Sequence, residues 1–365
     1  MRGENAWEKS QNLITAICKK PLFLGRSLKT QEIRNQLFNS LLRLKIQPIQ
    51  AELRHDCCEQ DLNILSMLAK ENNCDGIIAA GGGKVLDAGK LLSHRLSIPC
   101  ITVPLSAATC AGWTALSNIY SPNGAFIKDQ VLDSAPELLV FDYALVRQAP
   151  QKTLASGMAD ALAKWYEASL STKNTTDGLV QQAVQMARVL RDQILIDGLR
   201  AYQDPKSQEW IRVAEGAALT AGLISGLGGS ECRTAAAHAI HNGLTQIGSS
   251  NKSLHGEIVG FGILAQLFLE EKLLENQLAK QARNQLLPLF KKLGLTSSLE
   301  ELGFLRENQS DLEKVCEFTL LNSPEILNLP FTVPTDLLLE SIRRSYSSEA
   351  TYSNQKNPYK SGRVD

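Results

Sequence analysis

Apolar and polar positions follow two different rhythms along the chain. Before Pro150, short apolar runs at Pro21–Gly25, 76–80, 100–103 and 138–141 have the length of buried strands. Between them, residues 30–44 and the series Val85, Leu86, Ala88, Leu91 and Leu92 repeat at helical spacing. Strands alternating with amphipathic helices predict a mostly parallel sheet covered on both faces. After Pro150 the segments 157–171, 175–203, 208–225, 232–247, 257–273, 276–293 and 335–345 carry a 3.6-residue period and few β-branched runs, so each predicts a helix. The glycine-rich stretches 226–229 and 248–253 predict loops. The pattern thus gives an α/β domain over 1–150, an all-helical domain over 151–345, and a polar, aperiodic tail over 346–365 that is expected to be flexible.

Length and charge narrow the possibilities. A chain of 365 residues is long for one core, which agrees with two domains. Its 38 basic residues balance 38 acidic ones, so no global field favours nucleic acid or an anionic membrane. The apolar stretch 258–269 is far shorter than the roughly 20 residues that span a bilayer. Arg2, Glu4, Glu8 and Lys9 occupy the N-terminus without an apolar segment, so no secretory signal is read there. A cytoplasmic homo-oligomer acting on a small molecule is expected. The eight cysteines include no C-x-x-C pair and are expected to be reduced and structural.

The turn Gly81-Gly82-Gly83-Lys84 sits between a predicted strand and a predicted helix. Free N–H groups at such a helix start favour a phosphate, and Lys84 and Lys90 are candidates to neutralise it. Leu86 breaks a G-x-G-x-x-G fingerprint, while Lys84 and Leu91 break a P-loop. A tight structural turn is the competing reading.

Three of the five histidines fall between His238 and His255. His238 and His241 share one face of a predicted helix, and His255 opens the next. Converging imidazoles suit a divalent metal. Asp160, set among small and apolar residues early in a predicted helix, is the best carboxylate to join them, since an unpartnered acid there would be costly. Interaction with the helix dipole is the alternative for Asp160.

The glycine turn, the segment SGMADALAKWYEA around Asp160, and AAAHAIHNGLT followed by LHGEIVGFGILAQL together resemble the iron-containing (group III) alcohol dehydrogenase superfamily. The glycerol dehydrogenase-like branch is similar, and hydroxycarboxylate dehydrogenase A more so. The resemblance covers nearly the whole chain. It implies a dehydroquinate synthase-like fold with the site in a cleft between the domains. It further implies Asp160, His238 and His255 as ligands of one divalent ion, zinc or iron. His241 would lie near the nicotinamide as a proton relay. Gly82, Gly83, Lys84 and Asp87 match the pyrophosphate loop, and Leu105, Ala108, Thr114, Leu116 and Tyr120 match the rest of the cofactor cleft.

Three departures from the family pattern bear on specificity. Arg26 stands where glycerol dehydrogenases carry an aspartate for the adenosine ribose, so NADP(H) is expected over NAD(H), with Ser27 and Lys29 assisting. Cys110 replaces a substrate-contacting aspartate, which removes a partner for polyol hydroxyls and eases entry of an anion. The chain also begins about ten residues into the pattern, and the stretch before that point would normally supply the first strand of the α/β domain. Reduction of a 2-oxo acid is the resulting expectation. NAD-dependent glycerol or 1,2-diol oxidation is the alternative within the same chemistry. A dehydroquinate synthase-like lyase is disfavoured because no basic cluster is read near Asp160 or His255, and an inactive binding scaffold because all three ligands are present.

Overall fold

A computed structural model describes residues 1–248, 253–304, 308–344 and 346. The first part of the chain runs β1 (Arg2–Gly3), α1 (Ala6–Lys9), α2 (Gln11–Ile17), β2 (Pro21–Gly25), α3 (Gln31–Arg43), β3 (Ile49–Glu52) and α4 (Glu59–Glu71). It continues through β4 (Gly76–Gly81), α5 (Gly83–Leu96), β5 (Cys100–Pro104), β6 (Leu116–Tyr120), β7 (Phe126–Val131), β8 (Leu138–Leu139), β9 (Phe141–Asp142) and α6 (Tyr143–Val146). Strands β3-β2-β4-β5-β8 pair in that order, all in parallel, as the strand–helix alternation predicts.

Alternation along the strands explains why the sheet is covered on both sides. Leu22, Leu24, Ile77 and Ala79 enter one core with residues of α4 and α5, while Phe23, Ile78, Ala80, Ile101 and Val103 enter another with Trp7, Ile14, Leu37 and Leu41. The chain leaves β2 for β3 on one side and returns to β4 on the other. The carboxyl ends of β2 and β4 therefore flank the point where strand order reverses, which is where open α/β sheets form ligand crevices. An antiparallel hairpin, β6 with β7, was not anticipated. Its turn, Ser121-Pro122-Asn123-Gly124, has the composition that such a turn needs.

The second part is helical: α7 (Gln151–Ser171), α8 (Gly178–Gln203), α9 (Gln208–Glu215), α10 (Ala221–Gly228), α11 (Ala236–Leu244), α12 (His255–Leu274), α13 (Gln277–Leu293), α14 (Gln309–Glu317) and α15 (Thr335–Arg343). Helices α7 and α12 are buried on nearly every side, so they show little amphipathic contrast and form the centre of this core.

Several expectations need correction. Helix α7 starts directly after Pro150 rather than at 157, which moves Asp160 from the first turn to mid-helix and removes the dipole reading. Residues 226–228 finish α10 instead of forming a loop. Tyr346, assigned to the tail, is buried, with its hydroxyl donating to the Ser341 carbonyl (2.8 Å) and its N–H to that of Ser297 (2.9 Å). The tail beyond it, and residues 249–252 of the second expected loop, lie outside the described residues. Among the described residues all eight cysteines are free, and no helix is long and apolar enough to cross a membrane.

Candidate metal and cofactor site

Three side chains far apart in sequence meet at one point. Asp160 projects from the middle of α7, His238 from the first turns of α11, and His255 is the first residue of α12. The His238 Nε2 lies 3.4 Å from Asp160 Oδ1, and the His255 Nε2 lies 3.3 Å from the same oxygen. All three donor atoms fall within 4.8 Å of one another. Two glycines permit this convergence. A Cβ on Gly256 would sit 1.8 Å from the Ser156 carbonyl oxygen, and one on Gly157 would sit 1.9 Å from that of Ala107. The Gly256 N–H also donates to the Ser156 hydroxyl (3.0 Å), which seats the start of α12 on α7.

Each imidazole is aimed by a second hydrogen bond. Glu167, fully buried two turns beyond Asp160 on α7, lies 2.6 Å from the His238 Nδ1 and accepts the N–H groups of His238 (3.0 Å) and Ala235 (2.6 Å). That contact keeps the proton on Nδ1 and leaves Nε2 facing Asp160. The His255 Nδ1 lies 2.9 Å from the His241 Nε2, and the His241 Nδ1 lies 3.0 Å from the Asn242 Oδ1. The Asn242 amide donates onward to the Ser323 hydroxyl and the Glu325 carboxylate, both at 3.3 Å.

Protonation follows this wiring. Burial would drive the proton from His238, but the Glu167 carboxylate and then Asp160 outweigh it and raise its pKa to about 9. Burial likewise opposes charge on Asp160, yet His255 and His238 hold its carboxyl well below the usual carboxylate range. Burial, followed by the neighbouring His255, keeps His241 far below the ordinary imidazole value and hence neutral. A carboxylate oxygen and two Nε2 atoms, each fixed from behind, are a donor set that suits zinc or ferrous iron with an open position. Proton and metal would compete for the same nitrogens.

These residues form one end of a cavity of about 1070 Å³. Its other end is the strand-order reversal, where Arg26, Ser27 and Thr30 follow β2 and Gly81, Gly82, Gly83 and Lys84 join β4 to α5. Asp87, Ala108, Cys110, Thr114, Leu116, Tyr120 and His241 also line it. Leu105 does not: it is buried in the core below β5, among Phe23, Ile78 and Val103. Lys90 is likewise withdrawn. Its ammonium pairs with Asp87 (3.0 Å) and donates to the Thr114 carbonyl (3.1 Å), so it braces β6 instead of reaching a phosphate.

Sequence reasoning missed four polar residues. Asp56, almost completely buried, forms ion pairs with both Arg26 and Lys84 and so ties the two ends of the reversal point together. Glu167 stands seven residues after Asp160, a spacing that places both on one face of a helix and was readable in advance. Lys164 lies between them, and with Arg233 it lines the cavity close to Asp160, where no basic group was anticipated. Arg233 is paired with Asp129 (2.6 Å).

Comparison with known proteins points to the family that the motifs resemble. The sequence model of the iron-containing alcohol dehydrogenase family matches residues 1–143. An uncharacterized oxidoreductase of Synechocystis is 47% identical over 79% of this chain and 74% of its own. Hydroxycarboxylate dehydrogenase A of Escherichia coli is 34% identical over 81% of this chain and 82% of its own. The crystal structure of glycerol dehydrogenase from Schizosaccharomyces pombe superposes with a TM-score of 0.79 at 27% identity, covering 94% of this chain and 87% of that one. Oxidoreductases of this kind use a divalent metal and a nicotinamide cofactor. The chain belongs to the iron-containing alcohol dehydrogenase family.

Proposed function

We propose that this protein reduces a small 2-oxo acid to the 2-hydroxy acid with NADPH, in a reaction that depends on one divalent ion, zinc or ferrous iron, held by Asp160, His238 and His255. The observation that carries the reading is the shared cavity: the three donors sit at one end and the glycine turn with Arg26 at the other. The volume is at the upper end of the range for small-molecule sites, as a dinucleotide and a substrate together require. A bound divalent ion supplies Lewis-acid polarisation of the carbonyl oxygen, and the nicotinamide supplies the hydride.

The protein's own groups divide the remaining work. Glu167 and His241 fix the tautomers of His238 and His255, so neither ligand has to reorient when substrate arrives. Gly82 and Gly83 bring the amino end of α5 to the cavity wall, where its partial positive charge and Lys84 favour a pyrophosphate. Arg26, about one-third exposed at the mouth, is placed for a 2′-phosphate. His241 lines the cavity as the candidate proton relay, and Asn242, held in turn by Glu325, fixes its ring from behind. Cys110, whose thiol burial pushes up, is a neutral wall where an acidic side chain would repel an anion.

One observation favours a second reading, NAD-dependent oxidation of glycerol or a 1,2-diol. Asp56 pairs with both Arg26 and Lys84 at the cofactor end of the cavity, which would hold Arg26 away from a 2′-phosphate. The deciding experiment compares NADPH oxidation with 2-oxobutyrate against NAD reduction with glycerol in zinc- and iron-loaded protein. Turnover confined to glycerol would reverse the order of the two readings.

A further inference from the structure

Lys164 is nine-tenths or more buried, on the same face of α7 as Asp160 and Glu167, and it lines the cavity beside the three converging donors. Among the described residues its ammonium makes one hydrogen bond, to the Arg233 carbonyl (3.0 Å), and no carboxylate lies within ion-pair distance. The other Lys and Arg side chains lining this cavity are all matched: Arg26 and Lys84 with Asp56, and Arg233 with Asp129. A buried ammonium without a counter-ion is costly. Its charge acts on Asp160, and that carboxylate is committed once a divalent ion binds. Adding a dication beside Lys164 makes the local charge still more positive. An anion is what the site then lacks.

We infer that Lys164 is the substrate-specificity residue of this cavity, receiving the carboxylate of a 2-oxo acid whose carbonyl oxygen faces the Asp160–His238–His255 cluster. The inference deepens the proposed function and rests on it for the choice of substrate. Cys110, another lining residue, supports the assignment: it is close enough for the Lys164 charge to act on its thiol, and it contributes no negative charge of its own. An ammonium with two uncommitted N–H groups pairs with a carboxylate, and the pair in turn relieves the cost of its burial. A neutral hydroxy ketone offers no such gain.

The test uses metal-loaded protein with NADPH and compares two isosteric probes, anionic oxamate and neutral oxamide, by calorimetry. The wild-type protein is expected to bind oxamate at least about 100-fold more tightly, and equal binding would overturn the inference without any variant. In Lys164→Met and Lys164→Gln, the ratio of kcat/KM for 2-oxobutyrate to that for hydroxyacetone is expected to fall by about 100-fold, with partial recovery in Lys164→Arg. A proportionate loss on both substrates would instead make Lys164 a support for the Arg233 carbonyl. Failure of the wild-type protein to reduce any 2-oxo acid, with oxamate still bound through Lys164, would defeat the substrate reading and leave the anion site standing.

Discussion

The His255 Nδ1 stands 2.9 Å from the His241 Nε2, so the tautomer of one ring dictates that of the other. For His255 to present a bare Nε2 toward Asp160, its Nδ1 must carry the proton and donate it to His241. That requires a neutral His241 with its own proton turned to Asn242, the state that burial enforces.

His241→Leu is therefore expected to leave the His255 Nδ1–H unmet and to weaken metal retention by about 10- to 100-fold. His241→Gln, which still offers an acceptor, should lose less. Metal analysis after timed dialysis against a chelator measures both, and equal retention in the two variants would remove His241 from the support of His255.

Glu167 has the same duty toward His238, with the added strength of a buried charge. Glu167→Gln is expected to lower metal affinity by about 10- to 100-fold and to allow His238 to swing, because an amide can donate where the carboxylate only accepts. A variant that held metal as tightly as the wild-type protein would contradict this role.

Under the proposed function, Arg26 and Asp56 would pull cofactor preference in opposite directions from one ion pair. Arg26→Asp is expected to shift the NADPH to NADH ratio of kcat/KM toward NADH by at least about tenfold. Asp56→Asn should shift it the other way by freeing both Arg26 and Lys84. An unchanged ratio in both variants would place the ribose end of the cofactor elsewhere.

Gly256→Ala brings a methyl group into the Ser156 carbonyl. The start of α12 must then retreat from α7, taking His255 from Asp160. A loss of about 1–3 kcal/mol of stability is expected, accompanied by loss of bound metal. Thermal unfolding and metal content measured together would show whether the two effects are linked, as this contact requires.

Glu270 makes stability depend on pH away from the site. Burial pushes its carboxyl up to about 7 from an ordinary 4.5, despite hydrogen bonds from Gln266 and Asn276. Between these values the folded chain keeps a proton that the unfolded chain has released, so stability falls as pH rises through this window and then levels off. Glu270→Gln is expected to flatten that decline. Near pH 8 the gain is at most about 3 kcal/mol, reduced by whichever hydrogen bond the amide cannot accept. Denaturant midpoints at about pH 5 and about pH 8 give the comparison.

Scarcity made part of this site legible from sequence. Histidine is rare in the chain, and three clustered imidazoles with one mid-apolar aspartate left few alternatives. The parallel sheet was equally plain, because runs such as GIIAA before a glycine turn allow little else. Asp56 was hidden because its partners, Arg26 and Lys84, are about thirty residues away on either side, and only the strand-order reversal brings them together. Leu105 was misplaced because a family position says nothing about which face of the sheet a residue takes just after a strand ends. Helix α7 was begun too late for want of weight on Pro150, whereas the common face of Asp160, Lys164 and Glu167 lay within the predicted helix and was overlooked. The β6–β7 hairpin was lost to the assumption that every crossover between strands is helical.

That common face has a consequence for chain length. Lys164 follows Asp160 by four residues of one rigid helix, a spacing of about 6 Å along its axis that backbone pitch sets. A cation on a loop would shift to greet acids of any size, whereas one flanked by buried Ala161, Leu162 and Ala163 has nowhere to go. If Lys164 receives the substrate carboxylate as inferred, helix α7 acts as a fixed gauge that accepts a carboxylate directly beside the reacting carbonyl and leaves longer spacers out of reach.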